Sequence, residues 1–223
     1  MPGLYHDGVI PRSQCQNLTI RWMAWAALEP GIVFGSVLLY IWWIRPYFPR
    51  FWILPLVLVL ISHAVRGETP DRLGFRTEGF RAGLIRYGHY VAGAALILLA
   101  GGVAFRTIRD LTWRWAAINF GVYCVWGVFQ QYVLNGYFLN RFVRFTRRAA
   151  LLAGIVFAVA HTPNWLLMLV TGAGGYLSAR VYLRIRNLYF LGLAHAVLGF
   201  LIYLVIPDGV SHHLWVGPKW FQR

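Results

Sequence analysis

The sequence predicts an all-α bundle of transmembrane helices, about seven to eight spans in one domain, and three observations carry that prediction. Of 223 residues, 59% are hydrophobic and only 13% charged, against about 25% charged in an average soluble domain. The apolar residues gather in blocks of about 15 to 25, the length a helix needs to cross a hydrocarbon layer of about 30 Å. The basic residues, which leave a net charge of +14, lie between these blocks. A disordered chain is excluded, and an ordinary soluble globule is argued against.

Seven spans follow in order. The first is Trp25–Trp43, with Glu29 and Pro30 near its start. The second, Phe51–Val65, is short and reaches only about 22 Å at 1.5 Å per residue. A tilted, re-entrant or extended segment therefore stays open there. Tyr87–Phe105 is the third, and Trp115–Leu134 the fourth, with a continuation to Leu139 allowed. Ala149–His161 is the fifth, ended by Pro163, which cannot continue the hydrogen-bond ladder. Asn164–Leu183 and Leu188–Ile206 complete the set. Residues 66–86 hold the one long polar connection, read as a cytoplasmic loop or surface helix, and residues 115–206 form the motif-bearing core.

Basic residues orient such a bundle, because the cytoplasmic side carries their excess. Seven spans place fourteen on one side: Arg12, Arg21, the arginines from Arg66 to Arg86, those from Arg141 to Arg148, and Arg180, Arg184 and Arg186. The other side holds seven, from Arg45, Arg50, Arg106, Arg109 and Arg114 to Lys219 and Arg223. The N-terminus is thus expected in the cytoplasm, in a plasma or inner membrane. The arginine runs read as solvated faces against anionic headgroups, and membrane lipids, not nucleic acid, as their partners. The first residues lack the basic stretch and short apolar run of a cleaved signal peptide. Asn17-Leu18-Thr19 matches a glycosylation acceptor, without meaning on a cytoplasmic side. Cys15 and Cys124 have no spacing that suggests a disulfide framework or a cysteine-built zinc site.

Polar groups inside spans are costly and are functional candidates by default. Gln130, Gln131 and Asn135 cluster in the fourth span, and Gln131 and Asn135, four apart, share a helix face. His161 closes the fifth span one turn beyond Phe157, and His195 lies within the seventh. Thr162, Pro163 and Asn164 make a corner, with Asn164 and Phe157 as candidate ligand contacts. Gly172, Gly174 and Gly175 allow the sixth span to approach a neighbour closely. The bland alternatives are interhelical hydrogen bonds for the amides and packing roles for the histidines.

The stretch from Phe129-Gln130-Gln131 to Asn135-Gly136, then Phe157 and His161, then His195, resembles the CPBP (Abi) family of CAAX prenyl endopeptidases and bacteriocin-processing relatives. The pattern there is E-E-x-x-x-R followed by Gly, then F-x-x-x-H, then H-x-x-x-N/D. The resemblance implies a site at Gln130, Gln131, Asn135, His161 and His195, in which paired glutamates and two histidines activate a water against a peptide bond. In this chain Gln130 and Gln131 replace the glutamates, Asn135 the arginine, and Gly199 the final Asn or Asp. A carboxamide exchanges hydrogen bonds but is no general base, and general-base catalysis contributes about 10²–10⁴-fold. Between Asp110 and Asp208 there is no acid at all. Glu29, the one acid inside an apolar block, is expected near the interface, with a role as substitute base the alternative.

The expected function is a CAAX-protease-like integral membrane protein that does not hydrolyse. A neutral polar cavity would bind a transmembrane or lipidated peptide or a partner subunit, as an assembly factor or part of a larger membrane complex. The alternatives are an active intramembrane endopeptidase with an unorthodox base and a metal- or pigment-binding subunit using His161 and His195. Two imidazoles with an amide oxygen can ligate a metal, although none is required and the cofactor stays unknown. A transporter or channel is less favoured, since no repeat of paired broken helices is evident.

Overall fold

The structure is a computed structural model that describes residues 28–222. The first three residues of the expected first span, Arg12, Arg21, Cys15, the Asn17-Leu18-Thr19 acceptor and Arg223 lie outside the described residues. In chain order the helices are α1 (Leu28–Ile44), α2 (Ile53–Val65), α3 (Pro70–Leu73), α4 (Phe80–Ala104) and α5 (Trp113–Gln131). A π-helical segment, Tyr132–Leu139, extends α5 into α6 (Asn140–Phe142). Then come α7 (Ala149–Val159), α8 (Trp165–Ile185), α9 (Leu188–Val205) and α10 (Asp208–Ser211). The chain is an all-α integral membrane protein. Three helices, α4, α8 and α9, are long and apolar enough to cross a bilayer by length and composition. Helix α4 begins seven residues before the expected third span, because Gly79, at φ +84°, turns the chain directly into it.

The core is built from two close helix pairs. Helix α5 runs along α9, and α7 along α8, with α4 against the outside of α9. Glycine sets both crossings. A Cβ on Gly127 would lie 2.6 Å from the Gly192 carbonyl oxygen, and one on Gly154 2.7 Å from that of Gly172. Backbones approach this closely only where side chains are missing, which is how helices associate without a hydrophobic drive between them. Gly175 packs on Phe157, so Gly172 and Gly175 do what the sequence suggested. Gly174 does not: it faces open space. The outer faces of α4 and α5 keep Ile97 and Val125 each 75% exposed, as lipid-facing residues would be.

Loop contacts define two ends. At one, Leu188 N–H donates to the Gly74 carbonyl over 2.9 Å. The Asn187 amide there holds the carbonyls of Arg76 (2.6 Å) and Glu78 (2.9 Å) while its oxygen caps α9. At the other, Arg109 N–H donates to Leu204 O, and its side chain grips Asp208 and the last carbonyls of α9. There Gly217 N–H also reaches Thr162 O at 2.8 Å. These groupings are the alternating sides of the seven-span reading. The second apolar segment, left open by its length, starts from Pro49, held by the Tyr40 hydroxyl, and ends where Ser62, His63 and Arg66 join the first end. It runs from one end of the bundle to the other.

Candidate functional site

The π-helical segment directly follows Gln131. Its wider turn carries Asn135 round so that its Nδ2 donates to Gln131 Oε1 at 2.6 Å and to Ser178 Oγ on α8 at 3.3 Å. Ser178 places its single proton on the Gly175 carbonyl. Its oxygen is therefore an acceptor, and Asn135 must present its NH₂ group to it. Gln131, with its oxygen taken by Asn135, turns its own NH₂ towards His195 Nδ1, a long contact of 3.4 Å. Asn135 is wholly buried, Gln131 3% exposed, and Asn135 Oδ1 has no partner.

This directed chain fixes the imidazoles. Facing an amide N–H, neutral His195 has its lone pair on Nδ1 and its proton on Nε2. His161 is the reverse: Nδ1 donates to the Phe157 carbonyl at 2.7 Å, and since a carbonyl only accepts, Nε2 holds the lone pair. The Phe157 ring lies against both, at 4.9 Å from the His161 centroid and 6.1 Å from that of His195. One imidazole offers an acceptor and the other a donor, with no charge on either. Raising a positive charge on His195 would require a proton on Nδ1, in the face of the Gln131 N–H.

The structure thus brings together Gln131, Asn135, Phe157, His161 and His195. Gln130 stands apart: among the described residues no side-chain hydrogen bond links it to either histidine. The Asn164 carboxamide is taken up locally. Its oxygen caps α8 at Leu167 N–H, and its nitrogen holds the carbonyls of Ser211 and Trp215 at 2.8 and 3.1 Å. Gly199 sits under Tyr123: a Cβ there would lie 3.2 Å from that ring and 3.8 Å from His195 Cδ2. Tyr123 occupies the room that a longer side chain at 199 would need beside the histidine.

Glu29 does not reach the imidazoles. Its carboxylate accepts from Arg141 Nε at 3.0 Å and the Tyr137 hydroxyl at 3.2 Å, and also from Ser62 and Arg66. Arg141 is fully buried, not part of a solvated arginine run, and it also binds Glu68. A guanidinium with no solvent is tolerable only when its donors are met, and two carboxylates and Ser62 meet them. Glu68 in turn accepts from Arg144 and pairs with His63 Nδ1 at 2.6 Å. Burial alone would raise the Glu68 pKa, but the hydrogen bonds from Arg141 and His63 outweigh it and hold the carboxyl below its ordinary range.

Sequence reasoning missed this ion cluster and Ser178. A serine within an apolar span was the available signal for Ser178; nothing local announced that Arg141 is buried. No group of three or more His, Cys, Asp or Glu side chains fit to hold a metal comes together among the described residues.

Residues 112–201 match the family model described as type II CAAX prenyl endopeptidase Rce1-like. The match contains the whole Gln131–His161–His195 constellation. No curated protein and no solved structure matches the chain.

Proposed function

Taking residues 112–201 as a CAAX-protease-like domain carried by an integral membrane protein, we propose that the chain binds a transmembrane or lipid-modified peptide at the Gln131–His161–His195 site without hydrolysing it. The observation that supports this most is the amide on His195. Gln131 donates to Nδ1, where a carboxylate would accept from it and stabilise the charged ring that forms as water loses a proton. Two acids of the N-terminal half, Glu29 and Glu68, are both bound to Arg141. What remains is one donor and one acceptor in an uncharged site, a set that suits a backbone amide of a bound peptide. The chain then serves as an assembly factor or a subunit of a membrane complex. We place the end carrying residues 66–79 and 141–148 in the cytoplasm of a plasma or inner membrane, on the excess of arginine there.

The test is photo-crosslinking of purified protein with a prenylated peptide bearing a photoreactive residue beside the modified cysteine. Labelling within 129–135, 157–161 or 195 is expected, with competition by the unlabelled peptide. Labelling confined to the lipid-facing surface of α4 would contradict the reading. A second reading, hydrolysis with His161 as base, is favoured by the free lone pair at its Nε2. Cleavage of the same peptide, lost in His161→Ala, would select it.

A further inference from the structure

At the start of α4 a groove of about 400 Å³ opens between Thr77, Phe80, Arg81 and Tyr189. Its position along the chain sets its depth. The polar connection 66–79 precedes it, and the apolar length of α4 follows it. It therefore lies where a bilayer passes from headgroups to acyl chains. The exposed lining is nearly all apolar, and an arginine and a threonine stand beside two aromatic residues among the four that form it. Arg81 is exposed and has no carboxylate partner among the described residues. Arg76, immediately before Thr77, keeps a buried Nε with no acceptor.

The charge at this end of the bundle points one way. At this end Arg72, Arg147, Arg148, Arg180 and Arg184 are exposed and free of ion pairs among the described residues, against Asp71 and Glu78 as exposed acids. The acid Glu68 is already held by Arg141 and Arg144. An arginine over apolar walls at headgroup depth fits a ligand that is anionic at one end and apolar at the other.

We propose that this groove is a binding site for an anionic phospholipid, its phosphate on Arg81 and Thr77 and its glycerol and upper acyl chain against Phe80 and Tyr189. The site is separate from the histidine constellation and does not depend on the reading of that site.

The full chain in detergent is titrated with short-chain phosphatidylglycerol, with phosphatidylcholine of the same chains, and with inorganic phosphate. Thermal melting and lipid retention in native mass spectrometry are followed. Phosphatidylglycerol is expected to stabilise at lower concentration than phosphatidylcholine, with one molecule retained and inorganic phosphate without effect. Arg81→Ala should raise the phosphatidylglycerol midpoint about fivefold, as for loss of one interfacial cation. Arg81→Lys should restore most of the binding, and Arg114→Ala at the opposite end should change nothing. Equal action of the two lipids, an Arg81→Ala midpoint equal to wild type, or inorganic phosphate acting as well as the lipid would each overturn the proposal. The last result would make the site one for a free anion.

Discussion

Arg141 and Glu68 meet through two parallel hydrogen bonds, Nη1 to Oε1 and Nη2 to Oε2, each 2.8 Å, with the guanidinium fully shielded from solvent. Its Nε goes to Glu29 on α1. One side chain thus ties α1, the 66–69 connection and the motif-bearing core into a single body. Charged groups from α1, the 66–69 connection and α6 are gathered here in a structural clamp.

Arg141→Met should therefore be among the most destabilising changes in the chain. Removing one partner of a buried ion group leaves the others uncompensated, at a cost of about 3–5 kcal/mol. Thermal unfolding in detergent checks this. The double variant Arg141→Met with Glu68→Gln should recover part of the loss, because it removes the stranded carboxylate as well.

The same clamp predicts an acid limb. Glu68 is held below its ordinary pKa in the folded chain, so its contribution is complete above the unfolded value, about 4.3 for Glu. The contribution is lost as pH falls through the lower folded value. Asp208, lowered by its hydrogen bond to Arg109, acts in the same direction but is a third exposed and counts for less. A melting-temperature profile from pH 7 to pH 3 should fall below about pH 4.5, and Glu68→Gln should start lower and flatten that fall.

Packing at the α5–α9 crossing leaves no room for a methyl group: a Cβ on Gly192 would collide with Val128 Cγ2 and lie 2.8 Å from Val128 Cα. Gly192→Ala should destabilise by about 1–3 kcal/mol, as overpacking does. Gly174→Ala, with nothing within 4 Å, should be neutral or slightly stabilising through helix propensity. Parallel thermal melts separate the two.

Gln131→Glu asks whether the site has merely lost an acid. A carboxylate at 131 would accept from His195, moving its proton from Nε2 to Nδ1, and would stand buried beside Asn135 with no arginine to balance it. The expected outcome is a lower melting temperature and no gain of peptide cleavage. The tautomer change is read from the imidazole ¹⁵N shifts.

Much of the bundle was legible because hydrophobic run length is a local property. The ends of α7, α8 and α9 fall within two residues of expectation. The 66–86 reading was less accurate, since α4 starts inside it at Phe80, where an arginine in its first turn conceals the helix. Arg141 was illegible for a different reason. It sits in Asn140-Arg141-Phe142-Val143-Arg144, which looks like any interfacial basic run, and its carboxylates lie 112 and 73 positions away. The i, i+4 pairing of Gln131 with Asn135 was readable from helical periodicity. The choice of Gln131 over Gln130 depended on which side of α5 meets α9, and Tyr123 under Gly199 on the same crossing.

The most direct measurement of the central claim is the mass of a farnesylated C-terminal peptide after incubation with the purified wild-type protein, beside His161→Ala and His195→Ala. An uncharged amide–imidazole site predicts an intact peptide in all three samples. Cleavage by the wild type that disappears in both histidine variants would contradict it.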